Sequence, residues 1–277
     1  MHYVVIDGDS ILYRCGFAAQ HRIYEYKGQD FNSKKELTAH LDETLGKGVT
    51  RECTSRIDVE PVENALANVK NTIESILHAT EASDYVIYVS SNTPTFRDTL
   101  ATIRPYKGNR SENSKPVHYE ACRNYIIDVW KAEECFGIEA DDMVAIECVK
   151  NPRSILVSND KDLLQVPGIH FNWTKPEEDI YTITKEDALH YKYIQILAGD
   201  ATDNIVGIPG LGEKGAAKLL QNMYGSSEEE YDEICSLYYL ERLGDEEGLQ
   251  QYNETKALIT ILTNVEQIES VTNRENN

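Results

Sequence analysis

The chain has 277 residues, a hydrophobic content of 41% and a formal net charge of −20 at pH 7. This length predicts one large domain or two smaller ones with a hydrophobic core, and no apolar stretch is long enough to span a membrane. The negative charge argues against a simple nucleic-acid binder, and six scattered cysteines without a C-x-x-C pair argue against a zinc site.

The first part of the chain alternates short apolar runs with amphipathic stretches. It opens on a predicted buried strand, HYVVID, with no basic and apolar leader before it, so we expect a cytoplasmic protein with reduced thiols. Residues 21–60 are polar and lack a clear period, and a hairpin-like insertion is one interpretation. The other predicted segments are a helix over 10–20, an amphipathic helix over 61–80, a strand over 84–90 and a basic loop over 91–118.

The second part continues the alternation. The pattern predicts a long helix over 117–136 that ends at Gly137, a helix from Glu139, strands over 153–160 and 169–173, and a threonine-capped helix over 182–199. Residues after about 200 are expected to be helical. Strands that alternate with helices predict an α/β fold with a parallel sheet, in which ligands bind at the carboxyl ends of the strands.

The negative charge is unevenly distributed. Residues 226–277 contain thirteen Asp or Glu and three Lys or Arg, a net charge of −10, whereas residues 95–118 contain five Lys or Arg and two acids, a net charge of +3. We interpret the acidic C-terminal segment as a solvated surface. Many of the other acids follow predicted strands, where bound cations would cancel their charge.

Four groups of acids stand at strand ends or helix starts. They are Asp7 and Asp9 in IDGDS, Glu139, Asp141 and Asp142 in EADD, Asp160 and Asp162 in NDKD, and Asp200 and Asp203 in GDATDN. A single acid pair at a helix start is usually a partner of the helix dipole. If all four groups converge, however, the carboxylates cannot stay ionised together without cations, and such oxygen ligands favour Mg²⁺ or Mn²⁺. Two such ions about 4 Å apart are typical of phosphodiester hydrolysis.

Two further segments point to nucleic acid. In GDATDNIVGIPGLGEKGAAKLL, Gly207, Gly210 and Gly212 precede a helix, a pattern typical of a helix–hairpin–helix element that grips a nucleic-acid backbone, with Lys214 and Lys218 adding charge. A plain helix–turn–helix packing element is the alternative. The basic segment TFRDTLATIRPYKGNR offers cations for phosphate and a tyrosine that can stack on a base; its candidate residues are Arg97, Arg104, Tyr106, Lys107 and Arg110. A solvated basic loop is the alternative here.

These motifs together resemble the flap endonuclease / 5′→3′ exonuclease family, and bacteriophage members most of all. The matching pieces are VIDGDSILYR, PTFR, PYKGNR, EADD, SNDKDLLQVPG and GDATDNIVGIPGLGEKGAAKLL, in family order over residues 3–220. The resemblance implies a PIN-like nuclease domain, expected here over 1–183 with an arch segment at about 95–125, and a three-turn helical DNA-binding part over 184–277. It also implies metal-dependent hydrolysis of DNA 5′ ends and flaps, often on RNA primers too.

The resemblance also assigns roles by position. It implies a first metal site of Asp7, Glu139, Asp141 and Asp142, and a second of Asp160, Asp162, Asp200 and Asp203. Lys107 matches the lysine at the arch base that contacts the scissile phosphate, and Arg110 matches its arginine neighbour. The loop over 207–215 matches the backbone-binding element, which holds a potassium ion in relatives.

One position departs from the family pattern. Relatives carry an aspartate at the end of the second strand, where YVSSNTPTFR has Ser90. A ligand of the first metal is therefore missing, and we hypothesise that Asp9 substitutes for it.

The sequence thus predicts a two-metal 5′-nuclease that acts as a monomer on DNA 5′ ends, 5′ flaps or RNA/DNA hybrids, with a replicative polymerase as a potential partner. A non-catalytic binder of branched DNA is an alternative, motivated by Ser90. A haloacid-dehalogenase-like phosphatase with Asp7 as nucleophile is another, but it leaves NDKD, PYKGNR and the glycine-rich hairpin without a role.

Overall fold

The computed structural model describes residues 2–47, 53–110 and 115–272, with side chains through 268. Part of the expected arch segment, residues 111–114, lies outside this range. The strands are β1 His2–Asp7, β2 Gln20–Tyr26, β3 Gln29–Phe31, β4 Thr54–Val59, β5 Ala82–Ser90, β6 Glu133–Cys135, β7 Ile155–Val157, β8 Gly168–Phe171, β9 Ile180–Ile183, β10 Gly199–Asp200 and β11 Ile205–Val206. The helices are α1 Gly8–Ala18, α2 Lys34–Leu45, α3 Val62–Ala79, α4 Phe96–Leu100, α5 Tyr119–Trp130, α6 Ala140–Lys150, α7 Lys185–Ala198, α8 Glu213–Leu220, α9 Glu228–Leu243, α10 Asp245–Ile259 and α11 Val265–Thr272.

A six-stranded sheet in the order β6-β5-β1-β7-β8-β9 forms the centre of the fold. Its first five strands are parallel, and β9 joins β8 as an antiparallel edge. The parallel α/β sheet expected from the sequence is therefore confirmed. The carboxyl ends of β5, β1 and β7 meet side by side, so the residues that follow them share one edge of the sheet.

Both faces of the sheet are covered, because side chains along a strand alternate between the two faces. On β1, Val4 and Ile6 enter a core shared with α1, α3 and α5, whereas Val5 enters a second core shared with α6. A third core joins helices α7 to α10 and contains buried Tyr193 and Tyr231. Among the described residues, no helix is long and apolar enough to cross a bilayer.

Two predicted boundaries are wrong. The helix expected over 117–136 ends at Trp130, because Lys131 adopts a left-handed conformation (φ 59°) and the chain then enters β6. Strand β6 pairs with the end of β5, a long-range partner that helical periodicity cannot reveal. Strand β9 likewise precedes the predicted helix at 182–199, although Thr184 is its N-cap, as expected.

The polar insertion over 21–60 forms a three-stranded antiparallel sheet in the order β3-β2-β4, with α2 packed against it. The hairpin interpretation holds for β2 and β3, which are joined by a turn with positive φ at Lys27 and Gly28. The first residue of β2 touches the expected arch segment, since the Val117 N–H donates to Gln20 Oε1 at 2.8 Å.

Candidate metal centre and nucleic-acid interface

Asp7 and Asp160 lie at the ends of the neighbouring strands β1 and β7. The Asp7 carboxylate accepts the Ser10 N–H at 3.2 Å, which caps α1, and the Ser158 hydroxyl at 2.7 Å. Ser158 Oγ in turn accepts the Asp160 N–H at 2.9 Å. Ser158 therefore ties the two strand ends together, a role that was not predicted, because the predicted strand over 153–160 included Ser158 whereas β7 ends at Val157.

Asp9 projects from the first turn of α1 toward the end of β5. Both of its carboxylate oxygens lie 3.2 Å from the Ser90 backbone nitrogen. The Ser90 hydroxyl accepts the Ala140 N–H at 2.9 Å, at the start of α6. Asp9 thus places its carboxylate beside the position where relatives are expected to carry the missing aspartate.

The basic segment folds over the acids. Tyr106 Oη lies 2.7 Å from Glu139 Oε2 and 2.9 Å from Asp203 Oδ2. Lys107 Nζ forms an ion pair with Glu139 and lies 3.6 Å from Asp203 Oδ2, and Arg110 donates to Asp203 at 2.5 Å. Three residues of PYKGNR therefore contact acids from two different motifs.

Asp162 and Asp200 form the far side of the cluster. Asp162 accepts the Gln195 amide at 2.5 Å, and its own N–H donates to Asp160 at 2.9 Å. Asp200, at the end of β10, accepts the Thr202 N–H at 2.6 Å. The NDKD and GDATDN motifs therefore meet beside EADD, as the converging arrangement requires.

The acids line two neighbouring spaces. Five of them border a cleft of about 1210 Å³ together with Lys107 and Arg110; these acids are Asp7, Asp9, Glu139, Asp141 and Asp160. Glu139 and Asp141 also border a narrow recess with Asp162, Asp200 and Asp203. Within the described part of the chain, no three His, Cys, Asp or Glu side chains form a preformed metal site, and basic side chains pair with Glu139 and Asp203 instead.

Burial and mutual repulsion act on the carboxyl groups of this cluster. Burial, followed by the nearby Asp9, raises the pKa of Asp7 to about 7, and burial with Asp160 and Asp200 raises the pKa of Asp162 to about 7. Burial also raises the pKa of Asp141 well above its usual value, with Asp7 adding to the shift. Within the described residues none of these three groups forms an ion pair, and the lysines near Asp141 and Asp162 do not offset their burial, so an all-oxygen set of this kind fits a hard divalent cation.

Glu139 behaves differently because it has cationic partners. Burial opposes its ionisation, but Lys107 and Arg97 outweigh burial and lower the pKa of Glu139 below its usual value. The same pairing, with Glu139 and Asp203, raises the pKa of Lys107 although burial alone would lower it. Glu139 is therefore ionised and Lys107 is charged at neutral pH.

Two expected site residues are used inside the protein instead. The Arg97 side chain is 2% exposed, and its guanidinium donates to both Asp142 oxygens at 2.7 and 2.9 Å. The fully buried Asp142 also accepts the Leu262 N–H at 3.0 Å. The prediction that Arg97 contacts DNA is wrong, and Asp142 is held in an ion pair rather than presented to a metal.

Two DNA-binding expectations also need correction. The Tyr106 hydroxyl hydrogen-bonds within the acid cluster, and Lys107 Nζ lies 4.8 Å from the centroid of the Tyr106 ring. Tyr106 therefore belongs to that cluster rather than to a base-stacking surface. Gly207 is buried, and a Cβ there would lie 2.2 Å from the Ala198 carbonyl carbon. Its glycine is therefore required by interior packing, not by a close approach of DNA.

The remaining candidates for DNA contact are at the surface. Gly210 has positive φ (77°) with open space where a Cβ would stand, and Gly212 is the N-cap of α8. The exposed basic candidates are Arg104, Lys214 and Lys218. A short hairpin of β10 and β11 connects α7 to α8, so the helix–hairpin–helix arrangement is present.

The acidic C-terminal segment is more than a solvated surface. Glu254 on α10 accepts the backbone N–H groups of Thr102 and Ile103 at 3.1 and 2.9 Å. Arg97 also donates to the carbonyl oxygens of Leu258 and Thr260. No local pattern marks these contacts, since each joins residues more than 150 positions apart.

Comparisons with known proteins agree with this arrangement, although no protein-family model matches the chain. It is 29% identical over 254 residues to the 5′-3′ exonuclease of Buchnera aphidicola subsp. Baizongia pistaciae, covering 84% of this chain and 70% of that protein. It is 33% identical over 119 residues to the exodeoxyribonuclease of Enterobacteria phage T3, covering 39% and 38%. It is 29% identical over 217 residues to DNA polymerase I of Bacillus caldotenax, covering 70% of this chain and 24% of the polymerase.

Solved structures show the same fold. The chain matches the bacteriophage T5 D15 flap endonuclease, solved as a pseudo-enzyme–product complex with DNA and metal ions, at TM-score 0.54 and 16% identity over 94% of this chain and 86% of that one. It matches T5 5′-exonuclease with bound zinc at TM-score 0.52 and 17% identity, over 98% and 89%. Relatives occur in both bacteria and phages. The order of motifs, the clustered acids and these likenesses agree, and they relate the chain to the 5′→3′ exonucleases and flap endonucleases.

Proposed function

We propose that this protein is a divalent-metal-dependent 5′-nuclease that hydrolyses phosphodiester bonds at DNA 5′ ends and 5′ flaps during replication. The observation that carries the proposal is the acid cluster at the ends of β1, β5 and β7, covered by Lys107 and Arg110. We assign the chemistry to residues 1–183 together with Asp200 and Asp203, and the grip on the DNA backbone to the rest of residues 184–277.

Two Mg²⁺ or Mn²⁺ ions suit this donor set. The residues that would hold them are Asp7, Asp9, Glu139, Asp141 and Asp160 around the cleft, and Asp162, Asp200 and Asp203 around the recess. When bound, such ions neutralise the acids, polarise the phosphate and lower the pKa of water. The T5 relatives crystallised with metal ions support this assignment.

Lys107 and Arg110 are placed to steady the charge that develops on the phosphate. Both cations border the cleft and both are tethered to acids, Lys107 through Glu139 and Arg110 through Asp203. Tyr106 holds Glu139 and Asp203 in a common position. Cations fixed in this way need no rearrangement when phosphate charge increases, which is the basis of electrostatic catalysis.

The helix–hairpin–helix element would bind the duplex without reading its sequence. Exposed backbone at Gly210 and Gly212 leads into the N-terminus of α8, a favourable place for a phosphate. Lys214, Lys218 and Arg104 add charge. By resemblance, a potassium ion at residues 207–215 would strengthen this contact.

We place this activity in the cytoplasm, in a monomer that acts on DNA or RNA/DNA hybrids. The T5 flap endonuclease, solved with DNA, supports the proposed nucleic-acid substrate. A replicative polymerase is the partner we propose, because DNA polymerase I relatives carry the matching region within a longer chain.

A non-catalytic role in binding branched DNA is the second candidate, and Ser90 favours it. The position of Asp9 against Ser90 argues for the enzyme, since it restores a carboxylate near that strand end. The clustered acids also repel DNA phosphates unless cations are bound, so a pure binder would gain from losing them.

The deciding experiment uses a 5′-flap duplex labelled at its 5′ end, incubated with protein in Mg²⁺, Mn²⁺ or EDTA. We expect short labelled products with either metal and none in EDTA. Asp162→Ala should abolish them, whereas Asp128→Ala, which changes an exposed aspartate on α5, should cut like the wild type. Tight flap binding without cleavage in either metal would refute the nuclease and establish the binding protein.

A further inference from the structure

A second pocket of about 440 Å³ opens between α1, α3 and the loop that follows β8. It lies next to the acidic cleft, because Arg14 and Ala18 line both spaces. The proposed nuclease chemistry does not use it. Its composition differs from that of the cleft and points to a different kind of contact with the substrate.

One wall is a polar face of α3. Asn68, Asn71, Thr72 and Ser75 recur at helical spacing and line the pocket, while the opposite face of α3 enters the core. Thr72 contacts the Cys15 thiol at 3.4 Å. Among the described residues, Asn68, Asn71 and Ser75 show no hydrogen-bond partner, so their amides and hydroxyl are available to a ligand with donors and acceptors.

The other wall is aromatic and cationic. Trp173 is half-buried, and the Arg14 guanidinium lies 5.8 Å from the centroid of its ring. The indole N–H donates to Ser10 Oγ at 3.3 Å, and Ser10 Oγ donates to the Asp7 carbonyl oxygen at 2.9 Å, so the ring is held next to the strand end that carries Asp7. A fixed tryptophan next to an arginine is a suitable surface for stacking a nucleobase.

The charge of the pocket is unusual for this protein. The chain carries 47 acids and a net charge of −20, yet none of the described residues that line this pocket is Asp or Glu, and Arg14 is the one charged side chain there. The lining of this pocket therefore adds no carboxylate that would repel a polyanionic strand. An apolar ligand would leave the polar wall of α3 unsatisfied.

We propose that this pocket holds an unpaired nucleotide of the substrate strand, with the base between Trp173 and the amides of α3 and the phosphate beside Arg14. The inference rests on the proposed nuclease function and extends it to a subsite for single-stranded nucleic acid.

The binding test uses tryptophan fluorescence. The chain has two tryptophans, and Trp130→Phe leaves Trp173 as the reporter; the Trp130 indole N–H is buried without a partner in the described structure, so this change removes no hydrogen bond. In EDTA, single-stranded oligothymidylate should quench Trp173. Adding Asn71→Ala should weaken that binding about fivefold, the loss expected for one hydrogen bond. Asn64→Ala is the matched control on α3, because Asn64 pairs with Glu60 and does not line the pocket.

The activity test compares cleavage of long 5′ flaps with cleavage at a flapless nick. Asn71→Ala should lower kcat/KM on long flaps about fivefold and leave the flapless substrate unchanged. An equal loss on both substrates, or a quench that Asn71→Ala does not weaken, would overturn the subsite. If the wild type cuts neither substrate, the proposed nuclease fails instead, and the fluorescence titration still decides whether the pocket binds single strands.

Discussion

The Arg97 guanidinium and the Asp142 carboxylate form a bidentate ion pair in the interior, with N–O distances of 2.7 and 2.9 Å. Because Arg97 also donates to Leu258 O and Thr260 O, this pair joins the base of the basic segment to the start of α6 and to the end of α10. It therefore links the start of α6, beside the acid cluster, to the helical part of the chain.

We expect Arg97→Met to lower the free energy of unfolding by about 3–5 kcal/mol, because it leaves Asp142 buried without its cation. Denaturant unfolding measures this. The double variant Arg97→Met/Asp142→Leu should recover part of the loss, since no lone charge remains. A single variant with normal stability but weaker DNA binding would show that Arg97 contacts DNA after all.

Lys107→Ala should lower the cleavage rate at saturating DNA by about 10²–10³-fold, the usual effect of removing one fixed donor to a charged transition state. Single-turnover kinetics on a flap substrate measure this, with Lys150→Ala on the exposed end of α6 as the control. A change confined to KM would mean that Lys107 contributes only to binding.

Asp9→Asn should reduce cleavage as much as Asp141→Asn if Asp9 supplies the carboxylate that Ser90 lacks. The Asp9 carboxylate contacts the Ser90 N–H, so an aspartate side chain at position 90 would originate next to the place that the Asp9 carboxylate occupies. The carboxylate can therefore be moved from position 9 to position 90. We expect Asp9→Asn/Ser90→Asp to regain activity over a series of Mg²⁺ concentrations. Wild-type rates in Asp9→Asn alone would refute this role.

The metal-free protein should lose stability as pH rises from about 4 to 7. An unfolded aspartate releases its proton near 3.8, whereas burial raises the pKa of Asp7 and of Asp162 to about 7. The folded state thus binds more protons in this window, so a rising pH favours unfolding. Unfolding in EDTA against Mg²⁺ should show this slope, and Mg²⁺ should stabilise more at pH 7 than at pH 5.

Two comparisons test whether Asp7 and Asp162 cause this pH dependence and whether Mg²⁺ binds at the acid cluster. Asp162→Asn should reduce the dependence of the free energy of unfolding on pH in EDTA, because it removes one carboxyl group with a raised pKa. If Mg²⁺ stabilises the wild type equally at both pH values, the acid cluster is not the site that the metal occupies.

Glu254→Ala should lower kcat by about 10- to 100-fold with little change in KM, through a shift of the segment that carries Lys107. The Glu254 carboxylate accepts two backbone N–H groups and the Thr102 hydroxyl at 2.5 Å, which fixes the chain five residues before Lys107. Glu254→Gln, whose carbonyl still accepts, should restore part of the rate. Glu247→Ala, at an exposed glutamate of the same helix, is the control. An equal loss of kcat in this control would refute the role of Glu254 in positioning the segment that carries Lys107.

Local pattern was enough to predict the features that depend on neighbouring residues. The apolar run of β1, the amphipathic face of α3 and the Thr184 cap follow from side-chain alternation, helical spacing and capping chemistry, which act within a few residues. The meeting of Asp7 with Asp160 also followed, because parallel strands present their carboxyl ends at one edge.

Only the tertiary structure decided whether a charged side chain is buried in an ion pair or faces the cleft. Arg97 and Lys107 look alike in the sequence, yet one is buried against Asp142 and the other borders the cleft, because α10 covers the first and leaves the second open. The same holds for Gly207, which is needed for packing, and for Glu254, which anchors a distant turn. Sequence spacing shows which residues share an element, but burial and long-range partners set the chemistry of each side chain, and these exist only once the chain is folded.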